Sequence, residues 1–322
     1  MKYHFCTLFD KNYLIKGLAL YNSLCEHIDS FCLWILCLDD ETYSILNTMK
    51  LQNMKLIKLS DFETKELKEI RKTRSLAEYY FTLGPSFISS ILTKPEISLI
   101  TYLDADLFFF SSPKPIFQKF ENHSVLITPH RMSPKQKDYE EKVGKYNVGL
   151  LVFRDDKDGQ DCLNWWKNEC LKWCYHRAES GRYADQKYLD YFPTKFNNVY
   201  ILNQKGSNLA PWNIEQYKSK LHLKDKNVYI GNDKLIFFHF AKFSLYFPKS
   251  HIRPDTPSRY YLKTGIQKQY IYCPYAQALY KALSQIKIKN PSFSEGIISR
   301  PANYSDIMSS IKNFVKSKIK ND

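Results

Sequence analysis

In the first 160 residues, short runs of β character recur between stretches of helical period, and most of these runs are apolar on both faces. They are Tyr3–Phe9 (YHFCTLF), Cys32–Leu38 (CLWILCL), Lys55–Leu59, Leu99–Leu103 (LITYL) and Tyr146–Phe153 (YNVGLLVF). A strand that is apolar on both faces must be covered on both sides, and strands alternating with helices form parallel sheets. The intervening segments supply the cover. Tyr13–His27 sets Leu14, Leu18, Tyr21 and Leu24 on one helical face, and Asp39-Asp40-Glu41 is an acidic helix start. Ser75–Leu92 reads as helix with a break at Gly84-Pro85, and Asp161–Cys174 as an amphipathic helix bearing three tryptophans. The fold class expected is α/β, a mostly parallel sheet flanked by helices over residues 1–250. A C-terminal extension, 251–322, follows with helices at Ala276–Ile286 and Ser305–Ile319.

Composition narrows the function. Only 10 glycines occur, and neither a G-x-G-x-x-G nor a Walker pattern is present, which disfavours dinucleotide oxidoreductases and P-loop enzymes. The net charge of +14 suits anionic partners: nucleotide phosphates, nucleic acid or an acidic membrane surface. The longest early apolar run, FCLWILCL, falls far short of the roughly 20 residues of a membrane helix. Asp10 interrupts any signal-peptide core, so a cytoplasmic location is expected. The eight cysteines are scattered; Cys170, Cys174 and His176 sketch a zinc site but lack a second ligand pair.

Against this background, ISLITYLDADLFFF sets two carboxylates, Asp104 and Asp106, into an apolar run. Ionised carboxylates are costly to bury without a partner. Parallel sheets bind ligands at the carboxyl ends of their strands, where these two emerge, and alternation along an extended chain points both the same way. Mn²⁺ or Mg²⁺ would neutralise them and leave positions for phosphate oxygens. A second Asp-x-Asp, Asp156 and Asp158 in RDDKDGQD, reads as a solvated turn and helix start. As a calcium loop it fails, with Arg154 and Trp165 at ligand positions.

L-D-A-D after a buried strand, preceded by EYYFTLGP, resembles the GT-A glycosyltransferases, in particular the family-eight-like enzymes of bacterial surface polysaccharide assembly. The resemblance spans about residues 3 to 245. It implies that Thr7, Phe9, Asp10 and Tyr13 hold the nucleobase and ribose, with Asp104 and Ala105 also on the nucleotide. YNVGLLVF resembles the family's N-S-G strand and implies Asn147 and Gly149 beside the donor sugar. ADQKYL resembles its D-Q-D element and implies Asp185 and Gln186 as the catalytic pair at the sugar. LIFFHF ends in His239, implied as third metal ligand with Asp104 and Asp106. Two departures stand out. Phe81 replaces an arginine of the family, leaving Arg71 or Arg74 to reach the phosphates, and HFAKFS displaces the diphosphate lysine to Lys242.

The function so implied is metal-dependent, retaining transfer of a sugar from a nucleotide-sugar, with UDP as nucleotide, to a glycan or lipid-linked acceptor, with no nucleic-acid partner. Pro211-Trp212 would wall the acceptor pocket. Ser305–Ile319, with lysines at 312, 316 and 320 beside an apolar stripe, has the pattern of an interfacial helix on anionic lipid, or of an ordinary docked helix. Ordinary readings of the site residues also stand: Asp10 as a helix cap, His239 as a core histidine, Asn147 as partner of a strand-end backbone group, Asp185 as a helix start. At the level of the whole chain, the alternatives are a noncatalytic nucleic-acid binder and a metal-dependent nucleotidyltransferase.

Overall fold

The computed structural model describes residues 2–247, 253–255 and 265–299. The elements that position the site are β1 (Tyr3–Phe9), α1 (Leu14–His27), β2 (Phe31–Cys37), α2 (Asp40–Met49), β3 (Met54–Lys58), α3 (Leu76–Leu92), β4 (Leu99–Leu103), β5 (Leu107–Phe109), β6 (Val125–Pro129), β7 (Tyr146–Arg154), α4 (Lys157–Lys172), β8 (Val199–Ile201), β9 (Phe237–His239) and α5 (Cys273–Lys289).

Seven strands form one sheet in the order β3-β2-β1-β4-β7-β6-β8. β1 pairs in parallel with both β2 and β4, and β2 in parallel with β3. β7 is the exception: it runs antiparallel to β4 on one side and to β6 on the other. The strand YNVGLLVF was expected among parallel neighbours, and its apolar run explains why. A strand buried on both faces carries the same pattern in either direction, so burial alone does not fix orientation.

Helices cover both faces. One core joins β1, β2 and β4 to Leu14, Leu18 and Leu24 of α1, and to Tyr275, Leu279 and Ile286 of α5. The described residues of the C-terminal extension therefore share the main core. The other core packs Phe87, Ile88 and Ile91 of α3 and Cys162 and Trp166 of α4 on the opposite face. Among the described residues no helix is long and apolar enough to cross a membrane. The helix expected at Ser305–Ile319 lies outside the described residues.

Helix α3 differs from expectation in passing through Gly84-Pro85 without a break. Pro85 removes the bond that would reach the carbonyl of Phe81, which costs about 3 kcal/mol in a helix interior. Burial of Tyr79, Leu83, Phe87, Ile88, Ile91 and Leu92 offsets it, since each such side chain contributes about 1.5–3 kcal/mol. A Ser75–Glu78 capping box starts the helix cleanly.

Candidate functional site

The chain leaves β1 in one direction to build β2 and β3, then crosses back to place β4 on the other side of β1. The strand order reverses between β1 and β4, and such a switch point opens a crevice at the carboxyl ends of the strands. Asp10 and Tyr13 follow β1 there, and Asp104 and Asp106 follow β4. Because β7 is antiparallel, its beginning lies at this same edge. Leu103 pairs with Leu150, and the Asp104 N–H donates to the Gly149 carbonyl at 2.9 Å.

The two carboxylates converge through a turn, not through the alternation of an extended strand. The Leu107 N–H donates to the Asp104 carbonyl at 3.1 Å, folding Asp104-Ala105-Asp106 back between β4 and β5. β5 pairs antiparallel with β9, setting His239 opposite Leu107. The Phe240 N–H donates to the Asp106 carbonyl at 2.9 Å and locks the two segments. As a result His239 Nε2 lies 3.0 Å from Asp106 Oδ1 and 3.7 Å from Asp104 Oδ2. One ligand atom from each of the three residues lies within 4.8 Å of the others, a cation-sized set of two carboxylate oxygens and one imidazole nitrogen. The Asp104 side chain keeps 31% of its surface exposed, so a ligand can reach the set.

The electrostatics are those of charges held together without full compensation. Burial pushes the Asp104 carboxyl up, His239 opposes this, Asp106 adds to it, and the outcome is about 6. Burial also acts on Asp106, but the charge and hydrogen bond of His239 and the charge of Lys16 hold it low. His239 is raised by Asp106 and Asp104 against the pull of burial. A divalent cation would relieve the crowding of negative charge, and the donor set fits one.

Behind His239 stands a hydrogen-bonded layer. Asn147 Oδ1 accepts from the Gly149 N–H at 2.9 Å and lies 3.2 Å from His239 Nδ1. Asn147 Nδ2 donates to Gln186 Oε1 at 3.4 Å and sits 3.5 Å from His130 Nε2. His130 Nδ1 bonds the Gly144 carbonyl at 2.9 Å, and burial lowers its pKa to about 4.

Two cavities meet at this set. One, about 530 Å³, is lined by Phe9, Asp10, Tyr13, Tyr80, Asp104, Ala105 and Asp106. The other, about 320 Å³, is lined by Tyr139, Asn147, Tyr183, Trp212 and Lys242. Phe81, Asp185, Gln186 and His239 face both. Asp185 is buried and reaches this position after Ala184, whose φ of 46° is uncommon for a residue with a side chain. Its carboxyl is pushed up to about 8 by burial and by Asp104.

Most of the residues singled out from sequence are thus brought together. Thr7 is not on the cavity wall; it is fully buried in β1. Gly149 lies behind the Asn147–His239 pair. Arg74 is not brought to the site. Its guanidinium donates to the carbonyls of Cys170 and Leu171, at 2.8 and 2.7 Å, and to Thr82, tying α3 to the end of α4. Asp10 lines the cavity and also caps the turn after β1, accepting from the Asn12 N–H at 3.0 Å.

Sequence reasoning missed Lys16 and Tyr102. Lys16 extends over the Tyr13 ring, 4.3 Å from its centroid, and its charge acts on Asp106. Its signal was a single lysine inside the otherwise buried run LIKGLAL. The Tyr102 hydroxyl donates to Asp104 Oδ1 at 3.0 Å, and nothing in an apolar strand announces that.

No protein-family model matches the chain. Two proteins of Bacillus subtilis (strain 168), both described as uncharacterized, are similar in sequence. YfnD is 31% identical over 303 residues, which cover 93% of this chain and 96% of YfnD. YfnF is 33% identical over 250 residues, covering 75% of this chain and 82% of YfnF. Among solved structures, the galactosyltransferase LgtC in complex with donor and acceptor sugar analogs superposes with a TM-score of 0.54 at 13% identity, over 86% of this chain and 95% of LgtC. The apo form of the glycosyltransferase GlyE of Streptococcus pneumoniae TIGR4 gives 0.51 at 16% identity, over 88% of this chain and 64% of GlyE. These likenesses establish a GT-A fold.

Proposed function

This chain belongs to the family of YfnD and YfnF and has the GT-A fold, and from that premise we propose that it is a divalent-metal-dependent glycosyltransferase. The donor is a nucleotide-sugar with UDP as the nucleotide, the acceptor a glycan or a lipid-linked sugar, and transfer retains the donor's configuration. The observation that carries the reading is the convergence of Asp104, Asp106 and His239 where two cavities meet at the switch point of the sheet.

Mn²⁺ or Mg²⁺ held by these three residues would supply positive charge to a diphosphate leaving group. The larger cavity takes the nucleotide, with Phe9, Asp10 and Tyr13 against base and ribose and Asp104 and Ala105 alongside, while Lys242 lines the smaller cavity and would reach the diphosphate from that side. Asp185 and Gln186 face the donor sugar. Asp185, its carboxyl raised by burial and by Asp104, would hold a sugar hydroxyl and orient the donor. The Gln186 amide oxygen is the group left to stabilise positive charge at the anomeric carbon. The smaller cavity, walled by Phe81, Tyr139, Tyr183 and Trp212, suits the face of an acceptor sugar ring. In this reading residues 1–250 carry the donor and metal sites. Residues 251–322 form an extension whose end, outside the described residues, meets an anionic membrane surface.

Incubation with a panel of nucleotide-sugars, with nucleotide release followed by chromatography, tests the proposal. Release of UDP from a UDP-sugar, abolished by EDTA and restored by Mn²⁺ or Mg²⁺, is expected. Release indifferent to EDTA, or thermal stabilisation by oligonucleotides and by no nucleotide, would overturn it.

A further inference from the structure

We propose that Asn147 is a positioning residue that keeps a proton on Nδ1 of His239 and thereby commits Nε2 to the metal. Gly149 is glycine to leave room for that bond. The purpose of the device rests on the metal reading above; its existence does not.

The argument starts from groups whose roles cannot change. The Gly149 backbone N–H can only donate, and it lies 2.9 Å from one end of the Asn147 amide, so that end is the oxygen. The same oxygen faces His239 Nδ1 at 3.2 Å, a contact that is favourable only when Nδ1 carries a hydrogen. The far end of the network gives the same answer. The Gly144 carbonyl can only accept, so His130 is protonated on Nδ1 and offers Nε2 as an acceptor toward Asn147 Nδ2. Gln186 Oε1 likewise accepts from Nδ2. Every neighbour agrees with one orientation of the amide. The imidazole is thus presented with Nε2 toward Asp106 and Asp104, as a ligand oriented from behind by a hydrogen bond.

Gly149 supplies an independent observation. It lies within β7 and is not among the glycines with positive φ, so its backbone does not require glycine. Space does: a Cβ there would come within 2.4 Å of Asn147 Oδ1 and 2.8 Å of His239 Nδ1.

The test is ¹⁵N NMR of histidine-labelled protein at neutral pH, with His239 identified by comparison with His239→Gln, in the absence and presence of Mg²⁺. Nδ1 is expected to be protonated in both states, with only Nε2 responding to the cation. Equilibrium binding of Mn²⁺ then compares variants. Asn147→Leu and Gly149→Ala are expected to weaken it about 10- to 100-fold, and Asn147→Asp, which keeps the acceptor toward Nδ1 but loses the donor toward Gln186 and His130, to weaken it less. An unprotonated Nδ1 in the wild-type protein overturns the proposal, as does folded Asn147→Leu binding Mn²⁺ within about twofold of wild type. Should a variant fail to fold, the wild-type spectrum alone decides. Should the wild-type protein bind no divalent cation, the metal reading falls, while a change in the His239 Nδ1–H shift between wild type and Asn147→Leu still decides whether this bond exists.

Discussion

The chain carries Asp-x-Asp twice, after β4 and after β7, and the two copies lie at opposite edges of one sheet. β7 runs against β4, so its end lies beside the start of β4: Arg154 pairs with Leu99, and the Asp155 N–H donates to the Ser98 carbonyl at 2.9 Å. At that edge each carboxylate meets a protein donor. Asp156 caps α4 by accepting from the Gly159 N–H at 2.8 Å and takes the Ser124 hydroxyl at 2.8 Å, while Asp158 accepts from the Asn198 amide. At the other edge Asp104 has the Tyr102 hydroxyl, Asp106 has His239, and the remaining oxygens face a cavity. The same three-letter pattern is a finished structural cap in one place and, in the other, a pair of carboxylates open to a ligand. What separates them is which strand end they follow and which donors the topology brings within reach.

Breaking the open pair should have the largest effect. Asp106→Ala is expected to lower kcat/KM for transfer by about 10³-fold or more, because losing a metal ligand removes several kcal/mol of charge stabilisation. A single cooperative unfolding transition should remain. Turnover near wild type in EDTA-treated, Mn²⁺-restored buffer would end the metal reading and erase the distinction between the two motifs.

Much of this was legible before the fold. The strand Leu99–Leu103 and the pair that follows it could be read because a continuous apolar run forces burial and its end must surface. The α/β class followed from the same alternation, and Phe9, Asp10, Tyr13 and His239, which line the cavity, were named by resemblance. What could not be read depends on contacts between distant segments. The direction of β7 is set by its partners, not by its composition. Arg74 is held by carbonyls nearly a hundred residues away. Lys16 acquires meaning only when the turn after β4 sets Asp106 within range of its charge. The Asn147–His239 contact joins residues 92 apart in the chain, and no local pattern records it.

A pH titration sharpens the contrast by showing how dry the carboxyl edge is. His130 is held neutral by burial, with its pKa lowered from 6.5 to about 4. The unfolded chain therefore binds this proton first as pH falls, and stability drops between about pH 6.5 and pH 4. At about 1.4 kcal/mol per unit of separation, the full loss approaches about 3 kcal/mol. His130→Asn, whose amide can keep the bond to the Gly144 carbonyl, should lack that loss. Urea midpoints of both proteins across this range should diverge toward acid, and parallel curves would mean that the edge is wetter than its geometry implies.

Gln186 lies between the two cavities with its Nε2 donated to the Val143 carbonyl at 2.9 Å, while Oε1 accepts from Asn147 Nδ2 at 3.4 Å and keeps a second lone pair. Gln186→Ala is expected to lower kcat about 10- to 100-fold and to change donor KM by less than about threefold, as for a group that acts mainly in the transition state. NMR of the first-formed product adds the stereochemical outcome. An inverted linkage would move the chemistry from Gln186 to Asp185 acting as a base.

The smallest effect belongs to the finished cap. Asp156→Ala removes the side chain that holds the first turn of α4 and leaves Ser124 without its acceptor, a loss of about 1 kcal/mol. In a domain of this size that lowers Tm by about 2 °C and leaves turnover at wild-type level. The five residues of β4 span about 16 Å between the two motifs, far enough that their effects should be independent. In the double variant Asp106→Ala/Asp156→Ala, the stability changes should then add to within about 0.5 kcal/mol. A larger deviation, measured by urea denaturation, would mean that the two edges communicate through β4 and β7, and that the second Asp-x-Asp is more than a cap.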